Sequence, residues 1–135
     1  MTGAGVSVSS GIPTFRGQNG LYEKKFVLDG LELDPEAFIN KMFFDSRPQP
    51  IWDWIESLQE MVKKSKPNKT HFLIHDILVE IAKKGKKAVL VTQNIDDFHI
   101  KPVNKQYEYH AIHGVANQMR CKNLHYQPYD KTKIY

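Results

Sequence analysis

Two glycine-rich stretches near the start of the chain have residue types suited to anion binding. In "TGAGVS", Gly3 and Gly5 alternate as in turns that let a backbone approach a pyrophosphate, with Ala4 between them and Ser7 close by. The dinucleotide fingerprint wants a further glycine where this chain has Val8, and a preceding strand where it has only Met1 and Thr2. "GIPTFRGQNGLY" follows from Gly11, with three glycines, Pro13, Phe15 and Arg16 in one loop. Glycines permit a hinge, an aromatic ring excludes water, and a guanidinium meets negative charge. The competing reading is a surface turn with a buried Phe15. A third polar cluster, "TQNIDDFH", holds Gln93, Asn94, Asp96 and His99, although an Asx turn alone would explain Asn94. His113 precedes Gly114, and a group titrating near neutral pH can take a hydroxyl proton. His71 and His75 have helical i, i+4 spacing, but no nearby carboxylate or cysteine completes a metal signature.

These residues need elements to carry them. Residues 2–34 read as loop-rich, with a short helix after Val6. Asp34-Pro35-Glu36 reads as a helix start, followed at helical spacing by Phe38, Ile39, Met42 and Phe43, and "SRPQP" breaks that helix. Ile51, Trp54, Ile55, Leu58, Met61 and Val62 form an apolar stripe that reads as core. Ile74, Ile77, Leu78 and Ile81 mark another helix, closed by Gly85. Ala88 to Val91 then reads as a buried parallel strand whose carboxyl end delivers "TQNIDDFH" into a loop, where open α/β sheets bind ligands. "YEYHAIHG" offers one more short strand before Gly114.

At 135 residues the chain fits one domain. Its net charge of +4 comes from lysine runs at 63–69 and 83–87, where helices end or begin, so solvated helix ends are favoured over a nucleic-acid surface. A lone cysteine, Cys121, excludes an intramolecular disulfide and favours a reducing compartment. No apolar run reaches membrane-spanning length and no signal-peptide pattern opens the chain. The expectation is an intracellular protein, nuclear or cytoplasmic, with no membrane and no direct nucleic-acid partner.

The ordered series "GAGVS", "GIPTFRG", "PNKTH", "TQNID" and "HG" at 113–114 closely resembles the sirtuin family of NAD-dependent protein-lysine deacylases. The resemblance implies an α/β fold: a partial Rossmann-like parallel sheet with an inserted helical module. It divides the chain into a nucleotide-binding part (about 1–25 and 64–117), a cofactor loop and helical module (about 26–63), and the start of a degenerate zinc module (118–135). By residue, it implies NAD phosphates held at Gly3, Ala4 and Gly5 with Ser7 nearby, Pro13 and Phe15 shielding the nicotinamide ribose, and Arg16 facing the phosphates and ribose. Gln93 and Asn94 would contact that ribose, Asn94 also positioning water; Ile95 and Asp96 would form the nicotinamide pocket. His113 matches the catalytic histidine, a general base while the acyl group moves from lysine to the ribose. His71 would pack at a helix start, and His99 would support the loop.

The resemblance also exposes departures. It runs over nearly the whole chain but about the first half of a sirtuin catalytic core, so the expectation is a fragment or truncated form. Cys121 stands where the first zinc cysteine is expected, with Leu124 at its usual partner's place and only His125 nearby, so no stable zinc is expected. Sirtuins selective for acidic acyl groups carry a Tyr and an Arg where Ile55 and Leu58 stand here, which favours acetyl. The implied partners are acetyl-lysine proteins or peptides, histones among them, with a role in transcriptional regulation. Two alternatives stay open: an inactive remnant binding NAD or a protein, and a mono-ADP-ribosyltransferase.

Overall fold

Backbone pairing begins at the second residue. The computed structural model describes residues 1–100, 106–120 and 126–128. The Thr2 N–H donates to the Val91 carbonyl at 2.9 Å and the Gln93 N–H to the Thr2 carbonyl at 3.1 Å, a parallel bridge onto Thr92. Thr2 thus lies on one edge of strand β3 (Val89–Thr92), and strand β4 (Glu108–Ala111) pairs parallel on the other, with Thr92 opposite Ala111. Between Thr2 and this sheet the chain turns through a 3-10 helix, Ala4–Ser10, ended by Gly11 at φ 88°. That left-handed conformation suits glycine.

Helix α4 (Lys69–Lys83) packs Ile74, Leu78 and Ile81 against Ala88, Leu90 and Tyr107, the core beneath the parallel strands. Gly85, at φ 72°, follows its end as expected. The strand expected at 88–91 is parallel, but Leu90 and Thr92 are enclosed whereas Val89 is 38% exposed. Ile77, expected on the buried stripe, is 50% exposed.

The segment before α4 differs more from the sequence expectation. Residues expected to be loop form a hairpin, β1 (Phe26–Leu28) with β2 (Leu31–Leu33). Asp29 at φ 52° and Gly30 at φ 79° supply the paired left-handed conformations that a two-residue hairpin turn demands. The helix expected over 35–43 is two: α1 (Pro35–Phe38) and α2 (Lys41–Ser46), because Asn40 leaves the helix and its side chain accepts the Phe43 N–H at 2.9 Å as a new N-cap. "SRPQP" breaks the chain only at Arg47, and Pro48 opens helix α3 (Pro48–Lys64), where a missing N–H costs nothing. Phe26 stacks on Phe38 at 4.0 Å and meets Trp54 edge-on at 5.9 Å, so hairpin, α1 and α3 share an aromatic cluster.

The result is an α/β arrangement with parallel strands. Strands β5 (Gln118–Arg120) and β6 (Tyr126–Pro128) pair antiparallel beyond it. Cys121, Leu124 and His125, on which the expectation of a degenerate zinc module rests, lie outside the described residues. Among the described residues no cluster of His, Cys, Asp and Glu could hold a metal, and no helix is long and apolar enough to cross a membrane.

Candidate functional site

The "PNKTH" stretch explains how the glycine turn is held. Asn68 caps α4, its Oδ1 accepting the Thr70 N–H at 2.9 Å, while its Nδ2 donates to the Val6 carbonyl at 2.7 Å and to Ser10 Oγ at 2.9 Å. One side chain therefore starts a helix and fastens the 3-10 helix to it. His71 completes a capping box by accepting the Asn68 N–H on Nδ1 at 3.1 Å, and it is fully enclosed.

That bond fixes the tautomer: His71 Nδ1 holds a lone pair, so Nε2 carries the proton and points at Ser7 Oγ, 3.4 Å away. Ser7, 1% exposed, donates its own proton to Asp96 Oδ2 at 2.5 Å and accepts from Asn94 Nδ2 at 3.1 Å. A Ser, a His and an Asp thus meet, but the His offers no lone pair to the Ser, and nucleophilic catalysis of the triad kind is ruled out here. The cluster instead orients Asn94 and Asp96, placed there because β3 ends at Thr92. Thr92 Oγ1 accepts the Asn94 N–H at 3.0 Å, and Asp96 Oδ1 accepts the Phe98 N–H at 3.0 Å. His99 closes the group, its Nε2 2.8 Å from Thr2 Oγ1 and its ring 5.0 Å from that of His71. Burial pushes both imidazoles below their usual range, and the Asp96 carboxylate opposes this only in part.

Ser7, Asn94 and Asp96 of this group line a solvent-open cleft. Ala4, Ser7, Ile12, Pro13, Phe15 and Leu21 line it from the N-terminal segment, Leu58, Met61 and Val62 from α3, and Asn94, Ile95 and Asp96 from the end of β3. Of the expected site residues, Ala4, Ser7, Pro13, Phe15, Asn94, Ile95 and Asp96 come together there. Gly3, Gly5, Arg16, Gln93 and His113 are not in the lining. A side chain added at Gly5 would meet nothing within 4 Å, so the turn's backbone is open to approach, whereas one at Gly3 would touch Gln93 Oε1 at 3.7 Å.

Arg16 points outward. Its guanidinium pairs with Glu36 at 3.1 Å and sits 5.4 Å above the Tyr22 ring. The loop it belongs to closes on itself, with Leu21 N–H to Thr14 carbonyl and Tyr22 N–H to Phe15 carbonyl, both 2.8 Å. His113 follows β4, in a turn closed by Gly114 N–H to Ala111 carbonyl at 3.1 Å. Its Nδ1 lies 3.0 Å from the Gln93 carbonyl, and a carbonyl only accepts, so Nδ1 carries the proton. The exposed Nε2 is left with the lone pair, as a base requires.

Sequence reasoning gave no structural role at the site to Met61, Val62, Asn68 or Gln59, and reached Leu58 only through the family resemblance. Leu58, Met61 and Val62, assigned to the core, also wall the cleft, and an apolar stripe carries no signal to separate the two roles. Asn68 could have been found from its N-cap position. Gln59 had no signal at all: a polar residue on the apolar side of a helix reads as noise.

Comparison with known proteins points to one family. The model of the Sir2 family matches residues 3–135. NAD-dependent protein deacylase 1 of Archaeoglobus fulgidus is 35% identical over 121 residues, 90% of this chain and 44% of that protein. The NAD-dependent protein deacylase of Aquifex aeolicus is 31% identical over 98% of this chain and 49% of its own length. The mitochondrial NAD-dependent protein deacylase sirtuin-5 of Xenopus tropicalis is 36% identical over 90% of this chain and 36% of its own. A solved ADP-ribose complex of a Sir2 homologue superimposes with a TM-score of 0.68 at 31% identity, over 94% of this chain and 46% of that one. The chain thus spans less than half the length of these relatives. With the family model spanning residues 3–135 and relatives of 31–36% identity covering 90% or more of it, this chain belongs to the Sir2 family.

Proposed function

We propose that this chain carries the NAD site and the catalytic base of a sirtuin-type protein-lysine deacylase. The observation behind the reading is the convergence of Ser7, Asn94 and Asp96 with Phe15 and Ile95 on one cleft, beside a histidine with an open Nε2. The residues suit nicotinamide: Asn94 Oδ1 is a buried acceptor with no partner, ready for an amide N–H, and Phe15, Ile12 and Ile95 supply apolar walls.

NAD, when bound, supplies an electrophilic ribose carbon and, after nicotinamide leaves, the hydroxyl that receives the acyl group. Asn94 and Asp96 would hold the carboxamide, each Asp96 oxygen retaining a lone pair beyond its bond to Ser7 or Phe98. Phe15 keeps water from the reacting carbon. The open backbone at Gly5 would offer N–H donors to the phosphates, and Arg16, if released from Glu36, would supply countercharge to them. His113 Nε2 accepts the ribose hydroxyl proton, while the Gln93 carbonyl steadies the imidazolium through Nδ1–H. An acidic acyl group would face Leu58, Met61 and Val62 with no countercharge, so a small uncharged group such as acetyl is the favoured cargo, on lysines of proteins or peptides.

Incubating the chain with NAD and an acetyl-lysine peptide tests this by mass spectrometry. The expected result is free nicotinamide, deacetylated peptide and acetylated ADP-ribose, all lost in His113→Ala while calorimetric NAD binding persists. Binding without release would reduce the chain to an NAD-binding module. ADP-ribose attached to the peptide would make it a transferase. No NAD binding at all would defeat the proposal.

A further inference from the structure

Gln59 lies between Leu58, a cleft residue, and Glu60, and it is only 4% exposed. Burying a side-chain amide on the inner face of an amphipathic helix costs free energy unless the amide is bonded. It is bonded far away in sequence: Gln59 Nε2 donates to the Ala116 carbonyl at 2.5 Å. Ala116 in turn donates its N–H to the Ile95 carbonyl at 2.8 Å. Both polar groups of one peptide segment are thereby fixed, one by α3 and one by the strand-end loop.

That segment directly follows the His113–Gly114 turn. The near side of the turn is anchored by Ile112 N–H to the Thr92 carbonyl at 3.0 Å, and His113 reaches the Gln93 carbonyl. Without the bond from Gln59, the far side keeps the Ala116 N–H on Ile95 and the local Gln118 N–H to Val115 carbonyl bond at 3.1 Å, and the part-buried Ala116 carbonyl loses its side-chain donor from α3. We propose that Gln59 is a positioning residue: it holds the peptide after Gly114 so that His113 keeps its Nδ1–H on Gln93 and its Nε2 free. The role of His113 as base is the proposed function on which this rests. Nothing in Gln59 itself touches the cleft.

Two variants separate positioning from space filling in the full chain. Gln59→Met keeps the volume and removes the donor, and Gln59→Glu keeps the shape but sets a carboxylate against the carbonyl. Nitrogen NMR of His113 reads the tautomer, and amide exchange of Ala116 reads its bond to Ile95. Wild type is expected to hold the Nδ1–H form. In Gln59→Met the tautomers should mix and Ala116 exchange should speed up by about tenfold or more, with a larger effect in Gln59→Glu. In turnover, kcat should fall about tenfold while KM for NAD changes by less than about threefold. Unchanged tautomer and exchange in both folded variants would overturn the proposal. Should the variants fold poorly, the through-bond coupling between Gln59 Nε2 and the Ala116 carbonyl carbon in wild type decides, and its absence counts against the bond. A wild type that binds NAD without turnover defeats the deacylase reading, while tautomer and exchange still decide the role of Gln59.

Discussion

His71 and His99 are buried polar side chains whose enclosure favours the neutral ring. His99 makes the point sharply: its Nδ1 is buried with no acceptor, so a proton added there would have no partner. The folded-state affinity of both rings for protons is lowered, chiefly by loss of solvation, while an unfolded histidine titrates near about 6.5. The unfolded chain therefore binds more protons in the window just below that value, and stability must fall with pH there. The contribution of the pair is complete above pH ~6.5 and is lost as pH falls toward the depressed folded values. Calorimetric melting should give a Tm that is level above pH ~7 and declines between pH ~6.5 and ~5. A Tm that rises on acidification through that range would contradict the assignment. Tyr109 stands outside this window, since burial and the Asp97 and Asp96 carboxylates push its phenol up to about 12.

Among the elements, the loop from Thr14 to Tyr22 is the most sharply constrained. Gly20 is buried because the chain folds back over it, and a Cβ there would stand 2.8 Å from the Phe15 carbonyl oxygen and 2.9 Å from that of Gly17. Both are backbone atoms, so the loop must open to admit a methyl group. Gly20→Ala should cost about 1–3 kcal/mol in denaturant unfolding and weaken ligand binding by displacing Phe15. Gly5→Ala, with open space around it, should leave stability almost unchanged. Much of this level was legible in the sequence. The periodic stripes of α3 and α4, the strand expected at 88–91 and found at Val89–Thr92, and the strand before Gly114 follow from spacing, and the Pro35 helix start from its cap. The hairpin at 26–33 escaped although "DG" announces its turn, because the flanking residues do not alternate cleanly between apolar and polar. The division at Asn40 escaped because four apolar residues kept helical spacing across it. Of the site, the cleft-lining motif residues were legible, whereas the outward direction of Arg16 was not: it depends on Glu36 and Tyr22, which no local pattern joins to it.

Across the described residues, the ion pairs of Arg16, Lys25, Lys41, Arg47, Lys63, Lys83 and Lys87 decorate the surface rather than hold the molecule together. All join side chains more than half exposed. Such pairs contribute little and are screened by salt. Raising sodium chloride from about 0.1 to 1 M should shift the unfolding free energy by about 1 kcal/mol or less, a smaller response than the acid transition gives. A large loss of stability in salt would mean that these pairs carry the fold. The polar side chains that matter most to the architecture are buried or half-buried, and they join distant parts of the chain. Asn68 to Val6, Ser7 to Asp96 and Gln59 to Ala116 span 62, 89 and 57 residues.

The Asn68 fastening also bears on the order of folding. Helix α4 carries its own cap and closes through contacts a few residues apart, so it can form early. Every tie of the 3-10 helix to the rest of the molecule named above instead waits for a partner more than fifty residues away. Loop-closure entropy then makes the glycine turn a late event on the folding pathway, completed only after α4 and β3 have met. Substitutions that break one of these ties, such as Ser7→Ala, should speed unfolding while leaving the refolding rate nearly untouched.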